Sequence, residues 1–528
     1  ITGPKTNFVG SMLISNDAGT GTLNAASNNT GFGNEVFDDL TSGDANTGVG
    51  AQALTKLTTG TDNTAVGQAS LDALTTGDTN TAVGANAGGA LTSGSANTAV
   101  GNDALETATT GANNTGIGAF ALRVNTADDN TAVGNQSLID STTGANNVAV
   151  GKNSMHKNTS GANNVAIGSL TLDAATTANA NTAVGQGAMS GTTTGAGNVA
   201  VGLSALYTNT TGANITAVGK AALFANTTGH SAVAFGYGAL DANTSGILNT
   251  ALGYDALGAN TTAAYNVAVG SYALDANTTA NANVAVGYSA LGANTTGTLN
   301  VAMGHETLDA CTTGINNTAV GTYALGAITT GEYNTGIGTS AGSNLASGAS
   351  NNTCIGNGAL TGGTNTSHNI VIGSGFTSTN NNDKVSIGKE SNIISNVFAT
   401  NATWARVSDE RKKKNIQDDV LGLDFINDLR TVTFEWKPNH EFPKHFKDYK
   451  KTPEENQMTT GVTLHGMIAQ DVKAALDKAD IKTFGGWSED LEDGSQELAQ
   501  GMFVHPLIKA VQELSAKVEE LENKLGEK

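Results

Sequence analysis

The sequence predicts a mainly β protein, in which a parallel β-solenoid of 17-residue coils precedes a small α+β domain that ends in a coiled-coil helix. First, the phrase Asn-Thr-Ala-Val-Gly or a close variant places a glycine every 17 residues at 18 of the 21 intervals between Gly33 and Gly388. Second, 59 of the 67 glycines precede residue 408. Third, the 121 residues from 408 onward carry 17 Lys or Arg and 24 Asp or Glu. A short fixed period indicates one structural unit stacked on itself.

These shifts in composition predict four segments along the chain. An N-terminal lead-in covers 1–27, the solenoid repeats cover 28–388, a neck covers 389–407, and the C-terminal domain covers 408–528 with a coiled coil at about 505–526. The chain begins at Ile1 and not at a methionine, so we expect that it has been processed or truncated.

Each repeat is expected to contain a short strand immediately before its glycine. The residue before the glycine is bulky and apolar in all 22 copies, and the one before that is small in 21 of them. Because alternate side chains of a strand point to opposite faces, one face carries a bulky column and the other a small one. We expect the bulky column to fill the interior of the solenoid and the small column to lie against a neighbouring chain.

A second inward position is expected four residues after the glycine, where Leu or Met recurs. Next comes a turn of the kind Thr58-Thr59-Gly60, in which glycine supplies a positive φ. Gly, Asn and Thr are poor helix formers, which excludes a helical repeat. The three intervals of other length, which end at Gly134, Gly356 and Gly388, are predicted to mark bends or the end of the shaft.

Composition and motif spacing exclude several classes of function. The net charge of −20 disfavours binding to nucleic acid. No apolar run approaches the roughly 20 residues of a membrane helix, so we expect no membrane insertion. Cys311 and Cys354 do not indicate a disulfide framework, and Cys354 stands in a small-residue position. The eight histidines lack metal-ligand spacing, and no nucleotide-binding motif or pair of catalytic carboxylates is visible. We expect no cofactor, no metal and no turnover enzyme.

Tyrosines recur just after the repeat glycine, and two interpretations of them stay open. They pack between coils or between chains, or they form a stripe that contacts carbohydrate. A Thr column at the start of the strand would fit an ice-binding face but is better explained by strand propensity. The tyrosines concerned are Tyr237, Tyr254, Tyr272, Tyr288 and Tyr323.

The C-terminal domain resembles the self-cleaving intramolecular chaperone found at the end of endosialidase-type phage tail spikes and many phage fibres. The resemblance rests on residues 407–416 (VSDERKKKNI), 465–472 (HGMIAQDV) and 505–514 (HPLIKAVQEL). One departure is Lys412, which stands where the family usually has an apolar residue.

This resemblance implies a self-cleavage site. The cut lies between Val407 and Ser408, with Ser408 as the nucleophile and Lys413 as the general base. A lysine amine accepts a proton only when it is neutral, and burial among other cations favours that form. Arg411, Lys412 and Lys414 are such cations. The alternative is that this run is simply a solvated basic stripe.

The last helix is predicted to form a short coiled coil. Its apolar residues are spaced 4, 3, 4, 3 and 4 apart, as in an a/d seam: Leu507, Val511, Leu514, Val518, Leu521 and Leu525. A helix packed against the core of its own domain is the alternative.

The repeats resemble the stacked β-rolls in the heads of trimeric autotransporter adhesins. With the chaperone resemblance, this implies a homotrimeric shaft of a viral tail fibre or tail spike, located on the virion outside the cell. Its partners would be two further copies, other virion tail proteins, and a host receptor or glycan. A bacterial surface adhesin or filament is the main alternative. A polysaccharide depolymerase would need a carboxylate pair that the repeats do not display.

Overall fold

The computed structural model describes residues 12–14, 25–379, 382–397, 405–406, 410, 413–453, 461–490 and 492–526 of the 528-residue chain. Backbone contacts divide the chain into two units, Ile1–Val407 and Ser408–Lys528. The first is a parallel β-solenoid of 17-residue coils and the second is a small domain that ends in a long helix, so the predicted fold class is confirmed.

The strands of the first unit are short, and most have three residues. In chain order they are β1 (Met12–Ile14), β2 (Thr30–Phe32), β3 (Thr47–Val49), β4 (Thr64–Val66), β5 (Thr81–Val83), β6 (Thr98–Val100), β7 (Thr115–Ile117), β8 (Thr131–Val133), β9 (Val148–Val150), β10 (Val165–Ile167), β11 (Thr182–Val184), β12 (Val199–Val201), β13 (Thr216–Val218), β14 (Val233–Phe235), β15 (Thr250–Leu252), β16 (Val267–Val269), β17 (Val284–Val286), β18 (Val301–Met303), β19 (Thr318–Val320), β20 (Thr335–Ile337), β21 (Thr353–Ile355), β22 (Ala359–Leu360), β23 (Ile370–Ser374), β24 (Phe376–Thr377), β25 (Lys384–Lys389), β26 (Asn392–Val397) and β27 (Ala405–Arg406).

Neighbouring coils pair in parallel and in register, residue for equivalent residue. In β4 and β5, Thr64 pairs with Thr81 and Val66 with Val83. Coil positions are numbered here from the residue before each strand, so that in coil 266–282 the strand takes positions 2–4 and Gly270 takes position 5. At about 4.8 Å per coil, the stack of strands β2 to β25 is on the order of 100 Å long.

The prediction that the bulky column faces inward is wrong. The middle residue of each strand, usually Ala or Gly, is buried, whereas the bulky residue before the glycine faces outward. The reason is that the inward strand position faces the Leu of the preceding coil across a narrow interior. A Cβ added to Gly336 would lie 2.7 Å from Cγ of Leu325, so a larger inward side chain has no room.

The inward position four residues after the glycine is confirmed. These side chains are at most 1% exposed and adopt a positive φ: Leu54, Leu71, Leu105, Leu122, Leu138, Met155, Leu172, Met189 and Leu206. A left-handed conformation costs a non-glycine residue roughly 1–2 kcal/mol. Backbone hydrogen bonds between coils hold it in place, such as the one from the Leu71 N–H to the Ala87 carbonyl at 3.0 Å.

The period-defining glycine is required by both its conformation and its surroundings. Gly67 has a φ of +142°, and an added Cβ would lie 2.3 Å from the carbonyl oxygen of Gly84 in the next coil. A side chain at this position would therefore force the backbones of two coils apart.

Buried asparagines at position 1 form a ladder that runs between the coils. Nδ2 of Asn63 donates to Oδ1 of Asn46 at 3.1 Å and to the carbonyl of Gly77 at 2.8 Å. The backbone N–H of Asn63 donates to the same Oδ1 of Asn46 at 3.0 Å. Each asparagine thus joins its own coil to the preceding one and satisfies polar groups that water cannot reach.

A second ladder of buried asparagines, at position 12, spans the coils in which the first ladder is interrupted. Ile215 and Ala232 take position 1 between Asn198 and Asn249. Over the same coils, Nδ2 of Asn226 donates to Oδ1 of Asn209 at 2.9 Å. The second ladder comprises Asn209, Asn226, Asn243, Asn260, Asn277 and Asn294.

Two of the three irregular intervals leave the strand register intact. Across the 16-residue interval Thr115 pairs with Thr131, and across the 18-residue interval Thr335 pairs with Thr353. The altered length therefore falls in the connections and not in the strands. The third interval marks the end of the parallel stack, as predicted, because β25 then pairs antiparallel with β26.

The second unit contains three helices and two small antiparallel sheets among its described residues. The helices are α1 (Leu423–Asp428), α2 (Ala469–Lys478) and α3 (Val504–Gly526). Strand β28 (Thr431–Phe434) pairs with β29 (Leu464–Met467), and β30 (Trp487–Glu489) pairs with β31 (Gln496–Leu498). Two 3-10 turns cover Asn439–Glu441 and Gln500–Phe503. The core consists of Leu421, Phe425, Val472, Ala475, Leu476 and Phe503.

Candidate functional site

The predicted cleavage site is only partly within the described residues. Val407 and Ser408 lie outside them, as do Arg411 and Lys412. Lys413, the predicted base, is exposed in this single chain, and its backbone N–H donates to the carbonyl of Glu410 at 2.9 Å. The pairing of Ser408 with Lys413 therefore stays a prediction.

Helix α1, the first helix after the cleavage segment, has a carboxylate from helix α3 at its N-terminus. The backbone N–H of Leu423, at the start of α1, donates to Oε2 of Glu513 at 2.7 Å, across 90 residues of sequence. A Cβ added to Gly422 would lie 2.2 Å from that same oxygen. A carboxylate at a helix N-terminus satisfies an unpaired N–H group. Helix α3 thus contributes to holding the start of α1 in place.

The HGMIAQDV motif begins in a strand that lies next to β28. Val432 in β28 pairs with Gly466 in β29, and β29 leads directly into α2. An added Cβ on Gly466 would lie 3.1 Å from Cε1 of Phe434. The glycine of the HGMIAQDV motif therefore leaves room for an aromatic ring on the facing strand.

Two surface ion pairs connect α2 to the end of α1 and to the residue just before β28. A guanidinium nitrogen of Arg430 lies 2.8 Å from Asp471, and Nζ of Lys478 lies 2.7 Å from Asp428. Exposed pairs of this kind contribute only about 0.2–1 kcal/mol each. The buried apolar residues carry most of the stability of the domain, and the ion pairs fix orientation.

Helix α3 has one face toward its own domain and another that is exposed. Pro506 and Ala510 are buried, whereas the predicted a/d seam residues from Leu507 to Leu525 are 46–74% exposed. The alternative of a helix whose apolar seam packs on its own core does not describe this chain. The seam is an unpartnered apolar surface.

The shaft carries a second unpartnered apolar surface on the outside of its sheet. The side chains at coil positions 2 and 4, the two ends of each strand, point outward. Position 2 holds Thr or Val in most coils, and position 4 holds a bulky apolar residue. Thr, Val and Ile favour strands, but a row of bulky apolar side chains in water is unfavourable. The exposed position-4 residues are Phe32, Val66, Val83, Ile117, Ile167, Val201, Phe235, Leu252, Met303, Val320, Ile337, Ile372 and Ile387.

The predicted tyrosines stack on one another between successive coils. Ring centroids of consecutive members lie 5.1–6.0 Å apart along a ladder that also includes His305, which the sequence analysis missed. The signal was present, since His305 follows Gly304 as Tyr288 follows Gly287. The ladder is Tyr237, Tyr254, Tyr272, Tyr288, His305 and Tyr323.

The described residues contain no group of three or more His, Cys, Asp or Glu side chains that could hold a metal ion. Within the same residues, no helix is both long enough and apolar enough to cross a membrane. Cys311 and Cys354 are buried free thiols, and burial raises their pKa to about 11 and about 12. Both therefore act as small core residues.

Comparison with known families identifies the C-terminal segment. Residues 408–481 match the family described as chaperone of endosialidase. No curated protein matches the chain. The match begins at Ser408 and includes β28, β29 and α2. A chaperone-of-endosialidase segment after a β-solenoid shaft fits a fibre-like or spike-like protein.

Proposed function

We propose that this protein is the shaft of a viral attachment fibre that assembles as a homotrimer. In this proposal the C-terminal domain aligns three chains and then cuts itself away between Val407 and Ser408. Ser408 acts as the nucleophile and Lys413 as the base. The mature fibre is located on the virion, outside the cell, where it meets other tail proteins and a host receptor.

The observation that carries this proposal is the pair of unpartnered apolar surfaces in a single chain. One runs along the outward face of the shaft strands and the other along the seam of α3. Soluble monomers rarely expose contiguous apolar patches larger than a few hundred Å². Association of identical chains would cover both surfaces. The small-residue face is buried inside each coil, so it cannot form the contact between chains that the sequence predicts for it.

A uniform repeat creates a problem of register that a chaperone solves. Coils of the same length and similar outer surface can pair one step out of register at little energetic cost, as weakly specified strands do. A separate C-terminal nucleus, formed by the α3 seams, would fix the register before the shafts pair. Removal of that nucleus afterwards would leave the fibre kinetically trapped in its assembled state.

The proposed cleavage needs no cofactor. Oγ of Ser408 attacks the carbonyl carbon of Val407 while the Nζ amine of Lys413 takes the hydroxyl proton. The peptide nitrogen of Ser408 leaves as an amine after taking up a proton, and water hydrolyses the resulting ester to a Val407 carboxylate and the free Ser408 hydroxyl. Assembly would bring three basic segments together, and mutual repulsion would favour the neutral lysine amine.

Intact mass measurement on the full-length chain before and after folding tests the cleavage. We expect the folded wild-type protein to lose the mass of residues 408–528. The variants Ser408→Ala and Lys413→Ala should keep the full mass while still assembling. Lys482→Ala, at an exposed position outside the basic run, is the matched control and should cleave normally. An intact Val407–Ser408 bond in fully assembled wild-type protein would contradict the proposed mechanism.

Sizing of seam variants tests the assembly role. Leu514→Asp places a charge in the exposed seam of α3, and we expect it to yield monomers or aggregates. Lys517→Asp changes a neighbouring exposed residue outside the seam and should still give an SDS-resistant trimer. If Leu514→Asp assembled as well as the wild type, the seam would not be the nucleus.

The proposed location can be examined with antibodies raised against the shaft repeats. Electron microscopy of gold-labelled preparations should show label on the tails of virus particles. Label confined to bacterial surfaces would support the alternative of a cellular adhesin.

A further inference from the structure

The tyrosines are concentrated in one part of the shaft. Eight of the nine lie between Tyr207 and Tyr333, and the first 206 residues contain none. The coil architecture is the same on both sides of this boundary, since β4 and β16 have the same length, pairing and inward Ala. A role in folding every coil would place tyrosine throughout, so this concentration indicates a local function.

Within this part, the aromatic pattern repeats every three coils. Segments 233–283 and 284–334 align with a shift of 51 residues. Each has a Tyr at position 6 of its first coil, an aromatic ring followed by an acid in its second coil, and a Tyr at position 7 of its third. The matched pairs are Tyr237 with Tyr288, Leu248 with Leu299, Tyr254 with His305, Asp255 with Glu306, and Tyr272 with Tyr323.

The ring geometry repeats with the same spacing. Tyr237 and Tyr254 stack with planes 9° apart, and Tyr288 and His305 stack with planes 16° apart. The third ring of each segment is turned, by 64° for Tyr272 against Tyr254 and by 82° for Tyr323 against His305. The two segments therefore present the same arrangement of rings twice.

A carboxylate accompanies the second ring in both segments. Asp255 lies close enough to raise the pKa of the Tyr254 hydroxyl, and a carboxylate oxygen of Glu306 lies 3.7 Å from Nε2 of His305. Exposed rings supply flat apolar surface, and carboxylates accept strong hydrogen bonds from hydroxyl groups. This combination suits the alternating CH and OH groups of a sugar.

Several earlier coils carry polar or charged residues at the same positions, although Phe120, Leu170 and Leu203 are apolar exceptions. Positions 6 and 7 hold Glu35, Gln52, Asp103, Gln136 and Lys152 in earlier coils, and Glu35 and Gln52 form an exposed hydrogen bond. A surface buried between chains along the whole shaft would not carry these charges. The aromatic ladder therefore lies outside the apolar strand face assigned to chain association.

The charge of the two segments restricts the ligand. Residues 233–334 contain six Asp or Glu and no Lys or Arg. Lys220, from the preceding coil, places its Nζ 5.6 Å from the ring centroid of Tyr237, so one cation stands beside these six carboxylates. An anionic polymer would still be repelled by most of this surface, because the carboxylates outnumber that cation. The two segments are spaced by about 14 Å, from three coils of about 4.8 Å each. A periodic chain of a few sugars per repeat fits such tandem subsites.

We propose that residues 233–334 bind a linear polysaccharide that carries no anionic groups, through two equivalent aromatic and carboxylate subsites. This inference rests on the proposed attachment role and names the chemistry of the receptor. One subsite is formed by Tyr237, Tyr254, Asp255 and Tyr272. The other is formed by the residues 51 positions further on. Simultaneous contact with both subsites makes a long polymer bind more tightly than a short oligosaccharide.

Binding of defined polysaccharides to the full-length protein tests this proposal. The probes are dextran, mannan and galactan as neutral polymers, chitosan oligomers as an amine-bearing polymer, and dextran sulfate as the anionic comparison. Isothermal titration calorimetry should show binding to at least one of the first four and none to dextran sulfate. The double variant Tyr254→Ala/Tyr272→Ala should halve the stoichiometry. Adding His305→Ala and Tyr323→Ala should weaken binding by roughly tenfold or more.

Tyr265→Ala is the matched control, because Tyr265 is exposed but lies at position 17, outside the ladder. It should bind as the wild type does. The proposal is overturned if none of the four non-anionic probes binds, if dextran sulfate binds as tightly, or if the ladder variants bind unchanged. It is also overturned if those variants no longer form trimers, since the rings would then be chain contacts. Assembly and cleavage of the ladder variants are measured separately, so loss of glycan binding with intact assembly leaves the fibre proposal standing.

Discussion

Nδ2 of Asn63 donates a hydrogen bond to Oδ1 of Asn46 at 3.1 Å, and both side chains are completely buried. The same relationship recurs from coil to coil along the shaft, so each coil is held to the next by side chains as well as by the strand ladder. A hydrogen-bonded network in a water-free interior resists distortion, because any unpaired member costs free energy.

Replacing one member of this ladder should destabilise the shaft. We expect Asn63→Ala to lower the free energy of unfolding by about 1–3 kcal/mol. The carbonyl of Gly77 loses its side-chain donor, and the backbone N–H and Nδ2 of Asn80 lose the Oδ1 that accepts from them. Denaturant unfolding followed by circular dichroism measures the change. Asn34→Ala, at an exposed position, is the control and should alter stability by less than about 0.5 kcal/mol. Equal effects of the two substitutions would contradict the role assigned to the ladder.

Extending the second ladder should stabilise the shaft. Oδ1 of Asn158 is a buried acceptor without a hydrogen-bond partner, and position 12 of the next coil holds the buried Ala175. In Ala175→Asn the new Nδ2 can donate to Asn158, and the new Oδ1 can accept from the hydroxyl of Thr192. We expect a gain of about 1–3 kcal/mol in the free energy of unfolding, measured by denaturant titration.

The control for this extension is Ala175→Leu. Leucine occupies position 12 in the first four coils, at Leu40, Leu57, Leu74 and Leu91, but it cannot donate a hydrogen bond. A gain with leucine equal to that with asparagine would show that filled volume matters and the hydrogen bonds do not.

Half-buried aspartates on the shaft should make its stability depend on pH. Burial raises the pKa of the carboxyls of Asp241, Asp275 and Asp309, with Asp255 adding to the effect at Asp241 and Asp275 and Glu306 at Asp309. The folded state therefore takes up protons at a higher pH than the unfolded chain. These groups add stability as the pH falls through their raised pKa, and they oppose folding at neutral pH.

Replacing one of these aspartates with asparagine isolates its contribution to the pH dependence of the stability. We expect Asp275→Asn to be more stable than the wild type at pH 7, and the difference to shrink as the pH is lowered toward the ordinary aspartate value of 3.8. Denaturant unfolding at a series of pH values measures it. Asp62→Asn, at an exposed position, should show no such trend. A difference for Asp275→Asn that grows as the pH falls would reverse the assigned sign.

The contact between Glu513 and Leu423 should matter for assembly and not for the finished fibre. Glu513→Ala removes the carboxylate at the start of α1, and a lost cap of this kind costs about 0.5–2 kcal/mol. We expect fewer assembled fibres per chain synthesised, but an unchanged melting temperature for those that form and lose residues 408–528. Glu519→Ala, further along the exposed part of α3, is the control. A lowered melting temperature of the cleaved fibre would contradict a purely assembly-stage role.

The period of the fold could be predicted from the sequence, but which face of each strand points to the interior could not. Regular glycines fix where each coil turns, because a Cβ at Gly67 would strike the next coil. Alternation in a strand shows that two faces differ and does not say which is inside. Here the interior is already occupied by the Leu at position 9 and the Asn at position 1, so the regular coils have room only for a small residue, usually Ala or Gly, between them.

The ladders and the domain contacts illustrate what sequence reasoning missed. Asparagine at position 1 recurs in nearly every coil, yet its burial was not predicted, since a polar residue is rarely expected in a core. The link between Leu423 and Glu513 joins residues 90 positions apart, and no periodic pattern points to it. The cleavage residues were identified by resemblance alone, and Ser408 lies outside the described part of the chain.

The tolerance of the strand register to coils of 16 and 18 residues has a consequence for how such a gene can change. Single-residue insertions and deletions are absorbed in the connections, while gain or loss of a whole coil keeps both asparagine ladders aligned. Unequal recombination between near-identical coils therefore yields shafts that still fold. Duplication of a 51-residue segment such as 233–283 would also add a complete set of three rings and a carboxylate. The length of the shaft and the number of ring clusters can therefore increase in one genetic event.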